Sequence, residues 1–185
     1  MPTASWSPTA ASTGWYIPLA KLTVRETARF SLLGALTFGA KYAMAMLPNI
    51  EPVSLMVMLF AVVFGWKGLY PVYLYVLMEI MLYGINLWNI NYLYIWAILF
   101  VAAYFMRHFR HPLFWAVLSG IFGIAFGLLC SPVYIVIGGV DYALRWWVSG
   151  FAFDIPHAIG NFVIALVLFV PLRNLLEKLY AKMQV

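Results

Sequence analysis

Long apolar runs separated by short polar breaks organise this chain. Six of them approach the ~20 residues needed to cross a hydrocarbon core of about 30 Å as a helix. They fall at roughly 26–47, 52–66, 68–85, 90–106, 112–131 and 155–178. The second is short and bounded by Pro52 and Gly65, so it is either tilted or stops short of a full crossing. The sixth is interrupted at Pro171, after which Arg173, Glu177, Lys178 and Lys182 mark an amphipathic exit into water. A seventh run, around 133–152, would carry Asp141 and Arg145 into the bilayer, where each is expensive, and would leave the basic C-terminus outside. We therefore read 132–154 as a long outer loop, with room for a short interfacial helix bearing Trp146 and Trp147.

Composition supports the membrane reading. Of 185 residues, 65% are hydrophobic and 9% charged, against about 45–50% and roughly 25% in ordinary soluble domains. A soluble fold of this size cannot hide so much apolar surface. The same figures exclude a disordered chain, a disulfide-framed domain and a nucleic-acid binder. The lone cysteine, Cys130, allows no internal disulfide. Residues 1–20 mix Pro2, Pro8 and Pro18 with Trp6, Trp15 and Tyr16 and lack the order of a signal peptide. We read them as an interfacial tail kept in the mature chain, followed by one membrane domain over 21–185. The expected fold is all-α: a polytopic bundle of six transmembrane helices in the cell membrane.

Lysine and arginine give that bundle a direction. Lys21, Arg25, Arg29, Lys67, Arg107, Arg110, Arg173, Lys178 and Lys182 fall on one set of connections and ends, nine of the eleven basic residues. The alternate connections hold only Glu51, then no charge over 86–89, then Asp141, Arg145 and Asp154. Both termini are expected in the cytoplasm. The net charge of +5 thus reads as topology, not as a sign of an anionic partner.

The remaining polar residues gather towards the exterior. Lys41 lies about 15 residues into the first run and Glu79 about 11 into the third, which puts both in the outer half at about 1.5 Å per residue. Asn49 and Glu51 follow in the first outer loop, and Asn86, Trp88, Asn89, Asn91 and Tyr92 cluster at the second. Asp154, His157 and Asn161 open the sixth run from outside. The inner halves hold almost nothing polar. This describes a polar, aromatic-lined cup closed beneath by an apolar plug. Ionisable groups inside spans are functional candidates by default, and each also has a plainer reading. Lys41 and Glu79 can neutralise one another, Lys41 can snorkel to headgroups, and tryptophans and tyrosines commonly form an interfacial belt. Asp154 before Pro156 reads first as a helix N-cap. His157 and Asn161, four apart, share one helical face.

Ser31, Ala35, Gly39 and Ala43 form a second feature, a small residue at every fourth position of the first run. Such stripes let helices approach closely in lipid, either within the bundle or against another membrane protein. Energy-coupling and catalytic motifs are missing. There is no GxxxxGK[ST] phosphate loop, HEXXH or paired CxxC. His108 and His111 flank Arg110 without further ligands nearby, as in an ordinary basic loop. Ser119 and His157 fall short of a membrane serine-protease pair, because Val117 stands where a glycine is wanted and the serine lies deeper. We expect a non-catalytic chain.

Taken together, the six-run body, the outer cup and the small-residue stripe over about 20–182 resemble the substrate-binding S components of energy-coupling factor (ECF) vitamin importers. That family commonly carries paired alanines four apart on its first helix; here Ala35, Gly39 and Ala43 occupy the matching positions, with glycine at one of them. The resemblance implies capture of a vitamin outside and docking through the first helix onto a transmembrane coupling protein with two ATPase subunits. The body would then tilt to face the cup inward, with no cofactor of its own. The Leu47-Pro48-Asn49-Ile50-Glu51-Pro52 turn and the Trp88-Asn89-Ile90-Asn91-Tyr92 segment are similar to the cobalamin branch. For a corrinoid, Asn86, Asn89, Asn91 and Asn161 would bond the amide edges, and Tyr83, Trp88, Tyr134 and Trp147 would cover the ring. His157 and Cys130 carry donors that suit cobalt, though each more often just packs. A smaller pyridoxine- or pyrimidine-type vitamin fits the same inventory, and a stand-alone secondary transporter is the alternative outside the family.

Overall fold

A computed structural model describes residues 22–47 and 50–182. The 1–20 tail, Lys21, Pro48 and Asn49 lie outside the described residues. All regular structure within them is helical: α1 (Val24–Ala43), α2 (Val53–Phe64), a 3-10 turn (Gly65–Gly68), α3 (Leu69–Tyr83), α4 (Leu87–Phe105) and α5 (Pro112–Ala181). Three stretches, Val53–Tyr83, Leu87–Phe105 and Pro112–Ala181, are long and apolar enough to cross a membrane.

The helix starts have local causes. Thr23 and Glu26 form a reciprocal capping box at α1. The Asn86 side chain accepts the Asn89 N–H at the start of α4. His111 Nδ1 accepts the Leu113 N–H just before Pro112, the first residue of α5.

The first five apolar runs coincide with α1 to α4 and the start of α5, but the stretch expected as an outer loop does not behave as one. Residues 132–154 are helical except at Gly139, whose φ of 79° and ψ of 177° break α5 into arms 112–138 and 140–181. A side chain at that φ would be strained, so glycine permits the turn. The arms then pack antiparallel. The Gly127 N–H donates to Asp154 Oδ1 at 3.1 Å, and Trp115 stacks on Phe169 with ring centroids 4.3 Å apart. Asp141 and Arg145, whose charges argued against a helix here, pair with one another one turn apart and stay exposed. Pro171 does not interrupt the second arm, nor does Pro156, so Asp154 sits mid-helix and the N-cap reading fails. The 140–181 arm is about 63 Å long at a rise of about 1.5 Å per residue, well beyond the ~30 Å of a hydrocarbon core.

Among the described residues, the helices and the two arms of α5 alternate in direction along the chain. Glu26 pairs with Lys67 and Lys41 with Glu79, so α1 runs parallel to α3. Tyr73 donates to the Leu93 carbonyl, while Trp66 packs on Tyr104, so α4 runs back along α3. The central rod is α2, with Leu55 and Val57 through Ala61 all at or near full burial. Large apolar side chains such as Leu32, Leu77, Ile121, Val163 and Val167 are half or more exposed on the outside.

The two ends of the bundle differ chemically. At one end Lys67 pairs with Glu26, and Arg107 lies over the Tyr104 ring. There, too, Arg173 donates to the Phe109 and Arg107 carbonyls and pairs with Glu177. The opposite end holds Lys41, Glu51 and Glu79 and opens into a cavity.

Candidate binding cavity

The cavity has a volume of about 770 Å³ and lies between the end of α1, the α3–α4 turn and the two arms of α5. At its base the Lys41 ammonium donates to Glu79 Oε2 at 3.0 Å and to the Tyr92 hydroxyl at 3.1 Å. Glu51 Oε2 stands 3.8 Å from the same nitrogen. The ammonium also lies over the Tyr92 and Tyr75 rings, 4.9 and 5.7 Å from their centroids, an attractive placement for a cation. The long reach of lysine from the last turn of α1 draws α3, α4 and Glu51, two residues before α2, to one point.

Below this cluster the plug is aromatic. Trp96 is fully buried and touches Tyr75, Tyr92, Phe122 and Phe126, with centroids 5.4–6.2 Å apart. On the opposite wall, Trp88 packs against Phe126 and Trp146, and Phe126 meets the His157 ring edge-on at 4.8 Å. Asp154 and His157, only 5% and 4% exposed, line this wall. Asp154 Oδ2 and His157 Nε2 have no hydrogen-bond partner among the described residues. Gly127 makes room for the carboxylate: a Cβ there would lie 2.5 Å from Asp154 Oδ2.

Of the residues singled out from sequence, Lys41, Glu51, Glu79, Tyr83, Asn86, Trp88, Asn89 and His157 line the cavity. Asn49 lies outside the described residues. Four others do not line it. Asn91 turns into the bundle, where its Oδ1 accepts the Tyr94 hydroxyl at 2.9 Å. Asn161 lies a turn beyond His157 and donates to Ser54 Oγ at 3.0 Å. Tyr134 stands behind the wall, stacked on Trp146 at 3.9 Å. Trp147 is replaced at the cavity by Trp146, because adjacent helical residues point about 100° apart. Asn86 and Asn89 reach the wall but already serve the turn: Asn86 caps α4, and Asn89 Nδ2 donates to the Gly84 carbonyl at 2.6 Å.

Sequence reasoning missed Phe38, Phe126, Trp146 and Phe153, all of which line the cavity. Their signal was the aromatic side chain on an inward helical face, which an almost wholly apolar helix conceals. Cys130 is buried and does not line the cavity. Among the described residues no group of three or more His, Cys, Asp or Glu is placed to hold a metal ion. Ser119 Oγ and His157 Nε2 each lack a hydrogen-bond partner among the described residues, so the two do not pair. No family model, curated protein or solved structure matches the chain.

The small-residue stripe has a distinct environment. Helix α1 packs on α3 through Phe30, Gly34 and Thr37, and a Cβ on Gly34 would lie 2.9 Å from Leu74 Cβ. Ser31, Gly39 and Ala43 are exposed, Ala35 is half-buried, and nothing approaches within 4 Å of a Cβ built on Gly39. Among the described residues, nothing packs closely on the stripe at Gly39.

Proposed function

We propose that this chain is the substrate-binding subunit of an ECF-type vitamin importer: a six-span membrane protein with both ends in the cytoplasm. It would take its ligand into the cavity from outside and deliver it by docking to a coupling protein with two ATPase subunits. The observation that carries the reading is a cavity at one end of the bundle, opposite the basic end, combined with a small-residue face on α1 that is exposed at Ser31, Gly39 and Ala43 among the described residues. A basic end belongs on the cytoplasmic side by the usual loop asymmetry, which turns the cavity outward. The reading assigns no catalysis to the chain; ATP hydrolysis belongs to its partners.

Cobalamin is the first ligand to test, on the two turn segments that suggest it. The cavity volume favours a second reading. About 770 Å³ lies within the roughly 300–1,000 Å³ that encloses a drug-sized ligand, and a corrinoid would project from its mouth. A pyridoxine- or pyrimidine-type vitamin would be enclosed.

Two measurements test the proposal. Affinity purification from native membranes should bring down ATPase-bearing subunits with the chain. Thermal shift of the detergent-purified protein should show stabilisation by one vitamin in a side-by-side panel. Recovery of the chain alone, with vitamin uptake driven by an ion gradient in vesicles, would instead make it a secondary transporter.

A further inference from the structure

We propose that the cavity selects a ligand bearing a flat, positively charged nitrogen heterocycle, with Asp154 and Glu51 as counter-charges and Trp88, Phe126 and Trp146 as stacking faces. The inference rests on the reading that this cavity is the ligand site, and it deepens that reading by assigning the ligand's charge.

The argument begins with the balance of charge. Among the described residues, the cavity wall carries three carboxylates, Glu51, Glu79 and Asp154, and one ammonium, Lys41. Lys41 is engaged most closely with Glu79, at 3.0 Å against 3.8 Å for Glu51. Asp154 lines the wall made by the second arm of α5; among the described residues it receives only the Gly127 N–H on Oδ1, and its second oxygen has no partner. Even a protonated His157 leaves the wall short of positive charge. A cleft of one sign with low-dielectric walls focuses its field on whatever enters. A buried carboxylate without a full set of partners is costly, and a cation held in the cavity offsets part of that cost through its field.

The second part is the shape of the surroundings. Asp154 lies on the same wall as His157, whose ring meets Phe126, and Phe126 packs in turn on Trp88. The Trp88 and Trp146 rings are 6.2 Å apart, centroid to centroid. Aromatic faces attract cations most when water is excluded. An unpartnered carboxylate beside such faces suits a charged ring with an N–H edge. It does not suit an anion, whose carboxylate or phosphate would meet Glu51 and Asp154.

The test is calorimetric titration of the full chain in detergent. The cationic probes are thiamine and pyridoxamine; the neutral ones are nicotinamide and cyanocobalamin; biotin is the anion. At least one cation should bind about ten-fold or more tightly than every neutral or anionic probe. Asp154→Asn keeps an acceptor for the Gly127 N–H and should weaken the cation by roughly ten-fold, a larger loss than for nicotinamide. Glu51→Gln, outside the helices, should act in the same direction and stands in for Asp154→Asn if that variant does not fold. Preference for a neutral or anionic probe overturns the inference, as does an equal loss of all probes in both variants. Cation binding by a chain that recruits no ATPase subunits would sink the importer reading and leave the charge selection standing. Co-purification with ATPases and preferred binding of cyanocobalamin would do the reverse.

Discussion

At the scale of single residues, Lys41 is the most connected polar group in the bundle. It gathers Glu79, Glu51 and the Tyr92 hydroxyl from three other parts of the chain. The Glu79 side chain is only 5% exposed, so removing the lysine would strand a carboxylate in a poor solvent. Breaking a buried pair from one side costs about 3–5 kcal/mol, and partial exposure of Lys41 puts the expected cost near the lower end. Lys41→Met should therefore destabilise the detergent-solubilised protein by about 3 kcal/mol. Adding Glu79→Gln to it should restore more than half of the loss, a coupling that a double-mutant cycle reads directly. Additive losses from the two substitutions would show that the pair is not a unit. The lysine and glutamates were legible in the sequence because charge inside an apolar run is conspicuous. The asparagines were less so. Asn86 and Asn91 look equivalent in sequence, yet one caps a helix at the cavity and the other bonds Tyr94 inside the bundle.

Among the elements, two glycine-bearing faces make opposite predictions. The arms of α5 meet so closely that a Cβ on Gly123 would lie 2.7 Å from Ala158 Cα and 2.8 Å from its nitrogen. Backbone atoms cannot swing aside, so Gly123→Ala should cost about 1–3 kcal/mol through overpacking. No described residue lies within 4 Å of a Cβ built on Gly39, and a helix-interior glycine exchanged for alanine gains roughly 0.5–1 kcal/mol. Gly39→Leu should accordingly leave the melting temperature of the isolated protein almost unchanged. If the face docks as proposed, the same variant loses co-purification with the ATPase subunits and loses uptake. Retained co-purification would remove α1 from the docking surface. The elements themselves were well marked where an apolar run ended in a cap, a turn or a charge. They were poorly marked over 132–154, because a helix there reads as a further span, and Asp141 and Arg145 argue against burying it in lipid. A helix need not end at the membrane surface, and the Asp141–Arg145 pair lies on an exposed face where its charges are tolerated. The rotation of each helix was also hidden. Where both faces are apolar, hydrophobicity does not distinguish core from lipid, so Trp147 was chosen over Trp146.

Across the whole molecule, the end-to-end contrast in charge becomes a prediction of orientation. Lys67, Arg107 and Arg173 belong to one end, joined through Trp66, Tyr104 and the Phe109 carbonyl. Lys41, Glu51 and the α3–α4 turn belong to the other. Connections rich in lysine and arginine remain on the cytoplasmic side during insertion, so the cavity end should be accessible from outside the cell. The native chain suits a labelling experiment, because its single cysteine, Cys130, is buried and gives a low background to a membrane-impermeant maleimide. Met46 and Ile85 are 90% and 85% exposed at the cavity end, and His108 is exposed in the α4–α5 turn at the basic end. Met46→Cys and Ile85→Cys should react on intact cells, whereas His108→Cys should react only after permeabilisation. The reverse pattern would turn the cavity to the cytoplasm and remove capture from outside. Labelling of all three positions on intact cells would mean that the two ends do not lie on opposite sides of the membrane. Labelling as expected, together with ligand protection of Met46→Cys, would tie the outward end to the binding cavity, because Met46 adjoins Ala45 and Leu47 on its wall.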